Sequence, residues 1–131
     1  MKIALSIGDK LVAGELYDNP VADQVAELLP LEAAFDDFHD QEKLTRLPRA
    51  LDVSGVPRAD EPRPGEIGYY APGSSLVLYY AGPGRWPGLV RIGRFDHPLD
   101  KLRALPDGTR ISIAAAEHAT TRRAPGPGGR P

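Results

Sequence analysis

Two segments of the chain share one pattern, in which a strand passes through Asp, a polar residue and Pro into a short helix. The first segment is Leu11 to Leu31, and its junction is Asp18-Asn19-Pro20. The second is Leu89 to Leu105, and its junction is Asp96-His97-Pro98. Pro fits the first position of a helix because its missing N–H would have no partner there, and Asn is a favoured N-cap. We therefore predict one helix capped by Asn19 and a second capped by His97.

Most of the remaining chain predicts β-strands. Apolar and polar residues alternate over short runs, as expected for half-buried strands. Gly and Pro occur fourteen times each and mark tight connections between these runs. Residues 43–53 predict a short strand or a turn and a bend, and residues 56–66, with three Pro, predict a loop. The clear strand runs are 2–7, 10–17, 31–38, 66–71, 75–81, 89–95 and 109–115.

This order of elements favours a sheet that closes on itself. Closure removes exposed strand edges, and each short helix can then cover one open end. We predict a mainly β fold, a closed eight-stranded β-barrel with two short α-helices capping its ends. An open α+β sheet with both helices on one face is the alternative.

The chain of 131 residues has room for one domain with one core. We place the barrel domain at residues 1–116. Residues 117–131 have almost no large apolar side chain and are rich in Pro and Gly, so we expect a flexible tail there.

Composition excludes several classes of function. The chain has no Cys, which removes disulfides, thiolate nucleophiles and Cys-rich zinc sites. Its net charge of −2 attracts neither phosphate backbones nor anionic lipids, so we expect no nucleic-acid partner and no membrane partner. The N-terminal apolar run is too short for a signal peptide, and we expect a cytoplasmic protein. No nucleotide-binding motif follows the turn at Gly8-Asp9, and we expect no cofactor.

The most polar stretch, Asp36 to Lys43, gathers three Asp, one Glu and His39 around Phe38. Such oxygen and nitrogen ligands could hold a divalent metal. Their spacing matches no ligand motif, however, and a charged stretch between strands is usually a solvated turn. We therefore predict no metal site.

Aromatic side chains are concentrated in one predicted hairpin and in the connection after it. Four tyrosines, in the pairs 69–70 and 79–80, place phenols on both faces of the hairpin, so some rings pack in the core and others can line a groove. Trp86, the single Trp, lies in a connection rich in Gly and Pro and either folds back over the core or borders a cavity.

Three segments resemble the small bacterial cyclophilin-like proteins. They are GELYDNPVADQVAELLPL (14–31), GEIGYYAPGSSLVLYY (65–80) and GLVRIGRFDHPLDKL (88–102), and the resemblance extends over roughly residues 1–115. It implies the fold of cyclophilins, which are prolyl cis/trans isomerases, in a reduced form with shorter loops.

The resemblance does not extend to the catalytic residues. It implies an Arg that hydrogen-bonds the proline nitrogen of the substrate, but the strand that would carry it reads AAFDDFHD (33–40), without an Arg. The QGGDF-type motif of cyclophilins is missing as well. Trp86 lies in the loop that corresponds to the family's Trp, and Arg46 and Arg49 are candidate substitutes for the cation.

Three functions stay open at this point. The leading hypothesis is a barrel that binds a proline-containing peptide or a small apolar ligand and lacks the standard isomerase residues. The alternatives are a weak or divergent prolyl isomerase and a small-molecule cyclase or isomerase that acts by confinement in the barrel. We name no catalytic residue. The side chains that we predict to contact the ligand are Phe35, Arg46, Arg49, Tyr70, Leu78, Tyr80 and Trp86.

Overall fold

The computed structural model describes residues 1–117, and this part of the chain contains ten β-strands and two α-helices. The predicted tail lies, apart from residue 117, outside the described residues. The strands are β1 (Lys2–Ile7), β2 (Lys10–Leu16), β3 (Leu31–Phe38), β4 (Glu42–Arg46), β5 (Ala59–Asp60), β6 (Glu66–Tyr70), β7 (Ser75–Tyr79), β8 (Trp86–Pro87), β9 (Leu89–Phe95) and β10 (Thr109–Ala115). The helices are α1 (Pro20–Glu27) and α2 (Leu99–Arg103).

Eight of the strands form a closed antiparallel barrel in the order β1-β10-β3-β4-β7-β6-β9-β2. The mainly β barrel predicted from the sequence is confirmed, and the open sheet is wrong. The two remaining strands, β5 and β8, pair only with each other. β5 lies in the proline-rich segment that was expected to be a loop throughout, because a two-residue strand leaves no periodic pattern to detect.

Helix α1 begins as predicted. The Asn19 side-chain oxygen accepts hydrogen bonds from the backbone N–H groups of Val21 at 3.1 Å and Ala22 at 2.8 Å. Val21, Ala22 and Val25 are buried in the barrel core, so this helix face covers one end of the barrel.

Helix α2 begins one residue later than predicted, and His97 is not its N-cap. Pro98 occupies the cap position with an extended ψ of 126°, and no side chain caps the helix. The backbone carbonyl of Pro98 accepts the hydrogen bond from the Leu102 N–H at 3.1 Å. Pro98 thus precedes the helix. His97 therefore lies one position before the N-cap, and its side chain does not cap the first N–H groups of α2. Leu102 is fully buried and holds the helix against the core.

The two helices lie at opposite ends of the barrel. Helix α1 connects the end of β2 to the start of β3, whereas α2 connects the end of β9 to the start of β10. Since β2 and β9 are antiparallel neighbours, their ends point in opposite directions. In the part of the chain that the structure describes, neither helix is long and apolar enough to cross a membrane.

The apolar side chains form two clusters. The larger cluster fills the barrel interior and includes Phe35, Tyr69 and Leu78. The smaller one, which we call the outer cluster, consists of Val77, Tyr79 and Leu89, with Leu44 packed against it. Successive side chains of a strand point to opposite faces, so the outer cluster lies on the outside of β4, β7 and β9. Strand β7 is therefore buried on both faces.

Two glycines allow β2 and β9 to approach closely enough to close the barrel. A Cβ atom at Gly93 would lie 2.4 Å from the backbone oxygen of Glu15, and one at Gly14 would lie 2.7 Å from the backbone oxygen of Arg94. Neither backbone oxygen can move aside without breaking the ladder. The absence of side chains at these two positions is thus a condition of closure.

Candidate functional site

The side chains predicted to contact a ligand lie in three places. Phe35, Leu78 and Tyr80 are buried in the barrel interior. Arg49 lies near the end of α1, where it forms an exposed ion pair with Glu27 at 3.6 Å. The other three, Arg46, Tyr70 and Trp86, are exposed on the outside of the barrel.

Arg46 and Tyr70 belong to one outward row that crosses four strands. In the sheet register, Arg46 is paired with Ser75, Ser75 with Tyr70, and Tyr70 with Leu89. Adjacent strands are about 4.8 Å apart, so the Cα atoms of Arg46 and Tyr70 are separated by roughly 10 Å. Among residues 1–117, no hydrogen bond or ion pair holds the Arg46 guanidinium group, which leaves it available to a ligand.

Trp86 lies beside this row on β8. Its side chain is 57% exposed, and its indole Nε1 donates a hydrogen bond to the Pro83 carbonyl at 2.9 Å. Gly88 links β8 to β9 with a φ of +87°, and a Cβ atom there would lie 3.8 Å from the Tyr70 ring. Gly88, two residues after Trp86, therefore lies next to Tyr70. We call Arg46, Tyr70 and Trp86 the outer aromatic face.

The outer cluster lies on the same outward face of the sheet as Arg46 and Tyr70. Tyr79 is completely buried there, and its hydroxyl group has no hydrogen-bond partner among residues 1–117. Opposite Tyr79 on β4 is Glu42, which is only 8% exposed. Within the described residues, no hydrogen bond or ion pair holds the Glu42 carboxyl group. Burial, and to a lesser extent the negative charge of Asp37, raises the pKa of Glu42 to about 7.

The outer face also carries an arginine that is already engaged. Arg91 donates through Nε and Nη2 to both carboxylate oxygens of Glu66, at 2.7 to 3.1 Å. The Tyr17 hydroxyl donates to the same carboxylate at 2.6 Å, and burial together with this bond raises the pKa of Tyr17 to about 12. With its guanidinium group committed to Glu66, Arg91 is a structural residue of the β6–β9 pair.

A second candidate lies at the barrel end that α2 covers. An open depression of about 560 Å³ there is lined by four Asp, one Lys and one Arg. Lys43 points into the barrel end, is 3% exposed, and bonds to Asp37 at 3.2 Å and to the Leu105 carbonyl at 2.7 Å. Arg103 Nε donates to Asp40 at 2.8 Å.

Several of the charged side chains that line this depression are paired with each other and with Tyr80. The Tyr80 hydroxyl donates to Asp37 and, at 3.3 Å, to Asp40. Partial burial opposes ionisation of Asp37, but hydrogen bonds from Tyr80 and Lys43 outweigh it and hold the pKa of Asp37 below its ordinary value. We interpret this network as a polar plug of the barrel end, because its cations and central carboxylates already have partners.

The predicted acidic stretch is part of this plug. Asp36 and Asp107 accept hydrogen bonds at 2.8 Å from the backbone N–H groups of Gly108 and Asp37, respectively, which fastens the end of β3 to the loop before β10. Within residues 1–117, no group of three or more acidic or His side chains has the arrangement of a metal site.

Tyr79 and Glu42 are not among the residues that the sequence predicted to contact a ligand. The tyrosine pair 79–80 indicated that one phenol would point inward and one outward. Which of the two points inward depends on the pairing of β7 with β4 and β6, which the hairpin pattern alone does not contain.

Two comparisons with known proteins agree with this barrel. A family model described as "Cyclophilin-like family" matches residues 5–114. The solution structure of a hypothetical protein from Archaeoglobus fulgidus is similar with a TM-score of 0.67 and 17% sequence identity, over 88% of this chain and 95% of that one. At that identity the likeness concerns the fold alone. No curated protein matches the chain.

Proposed function

The chain belongs to the cyclophilin-like family, and on that premise we propose that it binds an extended, proline-containing peptide across the outer aromatic face. The observation that carries the proposal is the exposure of Tyr70 (39%) on β6 and of Trp86 (57%) on β8, the strand that Gly88 joins to β9. Large aromatic side chains that are left exposed together are typical of binding surfaces. Proline-rich segments are suited to such a surface because their extended helix is preformed and loses little entropy on binding.

Arg46 supports the same proposal. Its guanidinium group has five donors and lies in the same outward row as Tyr70, so it can donate to carbonyl oxygens of a bound backbone. A small apolar ligand is the alternative occupant of the face. Confinement inside the barrel has less support, because core side chains fill the interior.

We expect at most weak prolyl isomerase activity. The barrier to rotation about a prolyl bond is about 20 kcal/mol, and each factor of ten in rate requires about 1.4 kcal/mol of selective stabilisation. That stabilisation needs a donor directed at the proline nitrogen as the bond twists. Arg91 is committed to Glu66, and Arg46 is exposed to solvent, where its interactions are weaker.

Titration with proline-containing peptides tests the proposal, with Trp86 fluorescence as the readout because the chain has a single Trp. We expect saturable changes that disappear when the prolines of the peptide are replaced by Ala. Tyr70→Ala should weaken binding about tenfold, which corresponds to ~1.4 kcal/mol. Phe38→Ala is the matched control, since Phe38 is 45% exposed but lies on β3.

Two outcomes would contradict the proposal. One is the absence of any fluorescence or NMR change with every peptide of the series. The other is equal weakening by Phe38→Ala and Tyr70→Ala, which would mean that binding is not confined to the outer aromatic face. Exchange spectra of the same samples measure cis/trans rates, and a strong acceleration would favour the isomerase alternative.

A further inference from the structure

The buried hydroxyl of Tyr79 lacks a structural role that would explain it. Tyr79 is 0% exposed, and its oxygen has no hydrogen-bond partner among the described residues. Leaving a buried hydroxyl unpaired costs about 1–3 kcal/mol, and buried polar groups are rarely left in that state. A Phe at this position would fill the outer cluster without that cost.

Gly68 shows where the hydroxyl points. A Cβ atom at Gly68 would lie 2.7 Å from Cε2 and 3.2 Å from the hydroxyl oxygen of Tyr79. The Tyr79 ring therefore extends from β7 across β6, over the position where Gly68 has no side chain. Gly68 is paired with Arg91 on the far side, so the hydroxyl group is directed toward β9.

The small sheet of β5 and β8, which we call the strap, borders this position. Asp60 of the strap accepts a hydrogen bond from the Arg91 backbone N–H at 3.0 Å. Its carboxylate is near enough to the phenol that its charge, after burial and Glu42, contributes to raising the pKa of Tyr79. The strap also carries Trp86, so the outer aromatic face and the Tyr79 hydroxyl share one border.

The strap is weakly attached. Its ladder has two residue pairs, Ala59 with Pro87 and Asp60 with Trp86. Next to that ladder, the Gly88 N–H donates to the Arg58 carbonyl at 2.8 Å, which again joins the two segments of the strap to each other. The strap is tied to the barrel by the Asp60 bond and by the Gly88 carbonyl, which accepts a hydrogen bond from the Ala71 N–H at 2.9 Å. Segments with so few hydrogen bonds open at a much lower free energy than a barrel core.

We propose that Tyr79 is a further ligand-binding residue: when the strap moves outward, its hydroxyl donates a hydrogen bond to a backbone carbonyl oxygen of the peptide. The inference rests on the proposed function and adds a buried donor to the exposed face. A neutral acceptor fits better than an anion, because Asp60 and Glu42 make the surroundings negative.

Tyr79→Phe tests the inference in the full chain. Removing the unpaired hydroxyl should leave the thermal midpoint unchanged or raise it, while peptide binding weakens five- to tenfold in the Trp86 fluorescence titration. Tyr69→Phe is the matched control. Tyr69 is equally buried, but its hydroxyl accepts from the Leu51 N–H at 2.9 Å, so this variant should lose stability and keep its peptide affinity.

The outcomes separate the two proposals. If the wild type binds peptide and Tyr79→Phe binds it equally well, the inference is wrong and the proposed function stands. If Tyr79→Phe weakens binding but Tyr70→Ala does not, the Tyr79 hydroxyl is a ligand donor, and the proposal that the peptide lies across the outer aromatic face is wrong. If the wild type binds no peptide of the series, both proposals fall.

Discussion

At the scale of single residues, Glu42 is a buried carboxyl group that has no hydrogen-bond or ion-pair partner among the described residues. It is 8% exposed, and its pKa is raised to about 7. The other buried carboxylate among the described residues, Glu66, is held by Arg91. Glu42 instead destabilises the fold whenever it is ionised.

Glu42→Gln should therefore change how stability depends on pH. A raised carboxyl pKa stabilises the fold fully below the unfolded value near 4.5, and this contribution is lost as the pH rises through about 7. At pH 8 we expect the variant to be more stable than the wild type by up to about 3 kcal/mol, and at pH 4 nearly equal to it. Urea unfolding at both pH values measures this difference.

Glu61→Gln is the control for that measurement, because Glu61 is exposed. The Glu61→Gln variant should show the same difference in unfolding free energy between pH 4 and pH 8 as the wild type. Parallel pH curves for the wild type and Glu42→Gln would show that the Glu42 carboxyl group does not stay buried in its charged form.

At the scale of elements, the two Asp-X-Pro junctions make a matched pair with different outcomes. The Asn19 side chain caps α1 through its oxygen and also donates from Nδ2 to the Arg91 carbonyl at 3.0 Å, which ties the helix to β9. His97 caps nothing. The same sequence pattern thus contributes differently to stability at its two positions.

Asn19→Ala should destabilise the protein by about 1–2 kcal/mol, because it removes the cap. His97→Ala should change stability by less than about 0.5 kcal/mol, as expected for a substitution away from such features. Denaturant midpoints of the two variants, measured side by side, check both numbers. Asn19→Asp, which retains the capping oxygen and loses the bond to β9, should fall between Asn19→Ala and the wild type.

The β2–β9 pair is the element contact that closes the barrel, and Gly93 limits it. Gly93→Ala places a Cβ atom 2.4 Å from the Glu15 backbone oxygen, so the strands must separate. We expect a loss of about 2–3 kcal/mol in unfolding free energy, in the upper range for overpacking. Gly82→Ala is the control, since its nearest contacts would be 3.8 Å or longer. If Gly93→Ala lowers the unfolding free energy no more than Gly82→Ala does, the barrel tolerates a wider β2–β9 spacing.

At the scale of the whole molecule, the barrel and the strap should open independently. Barrel strands share long ladders, such as six residue pairs between β1 and β2, whereas the strap has two pairs. In native-state hydrogen exchange we expect the Gly88 and Arg91 amides at the strap to exchange by local opening, and the β1 and β10 amides only by global unfolding. Equal protection of both sets would contradict an independently opening strap.

Much of the architecture follows from local patterns. Seven of the barrel strands and helix α1 were predicted from alternation, turn residues and the Asn19 cap, which depend on neighbours in sequence. The closure of the sheet was predicted from the order of these elements, because closure removes exposed strand edges. The misplacement of His97 also has a local cause. An Asp-X-Pro junction fits a helix that starts either at Pro or after it, and α2 starts after it.

The candidate site followed less well from the sequence. Trp86 and Tyr70 were predicted as ligand contacts and are exposed, while Tyr80, predicted in the same groove, points into the barrel. The pairs 69–70 and 79–80 have equivalent side chains on both faces of their strands, so alternation cannot indicate which face is inside.

What the sequence by itself determined is the set of elements, because strand alternation, turns and the α1 cap are encoded within a few residues of each other. Only the tertiary structure decided which face of each strand points into the barrel and which points outward. The pairing of β7 with β4 and β6 turned Tyr80 inward and Tyr79 outward over Gly68, and β5 brought Asp60 beside it from a proline-rich segment. Such contacts join residues distant in sequence, and their geometry depends on the register of the closed barrel.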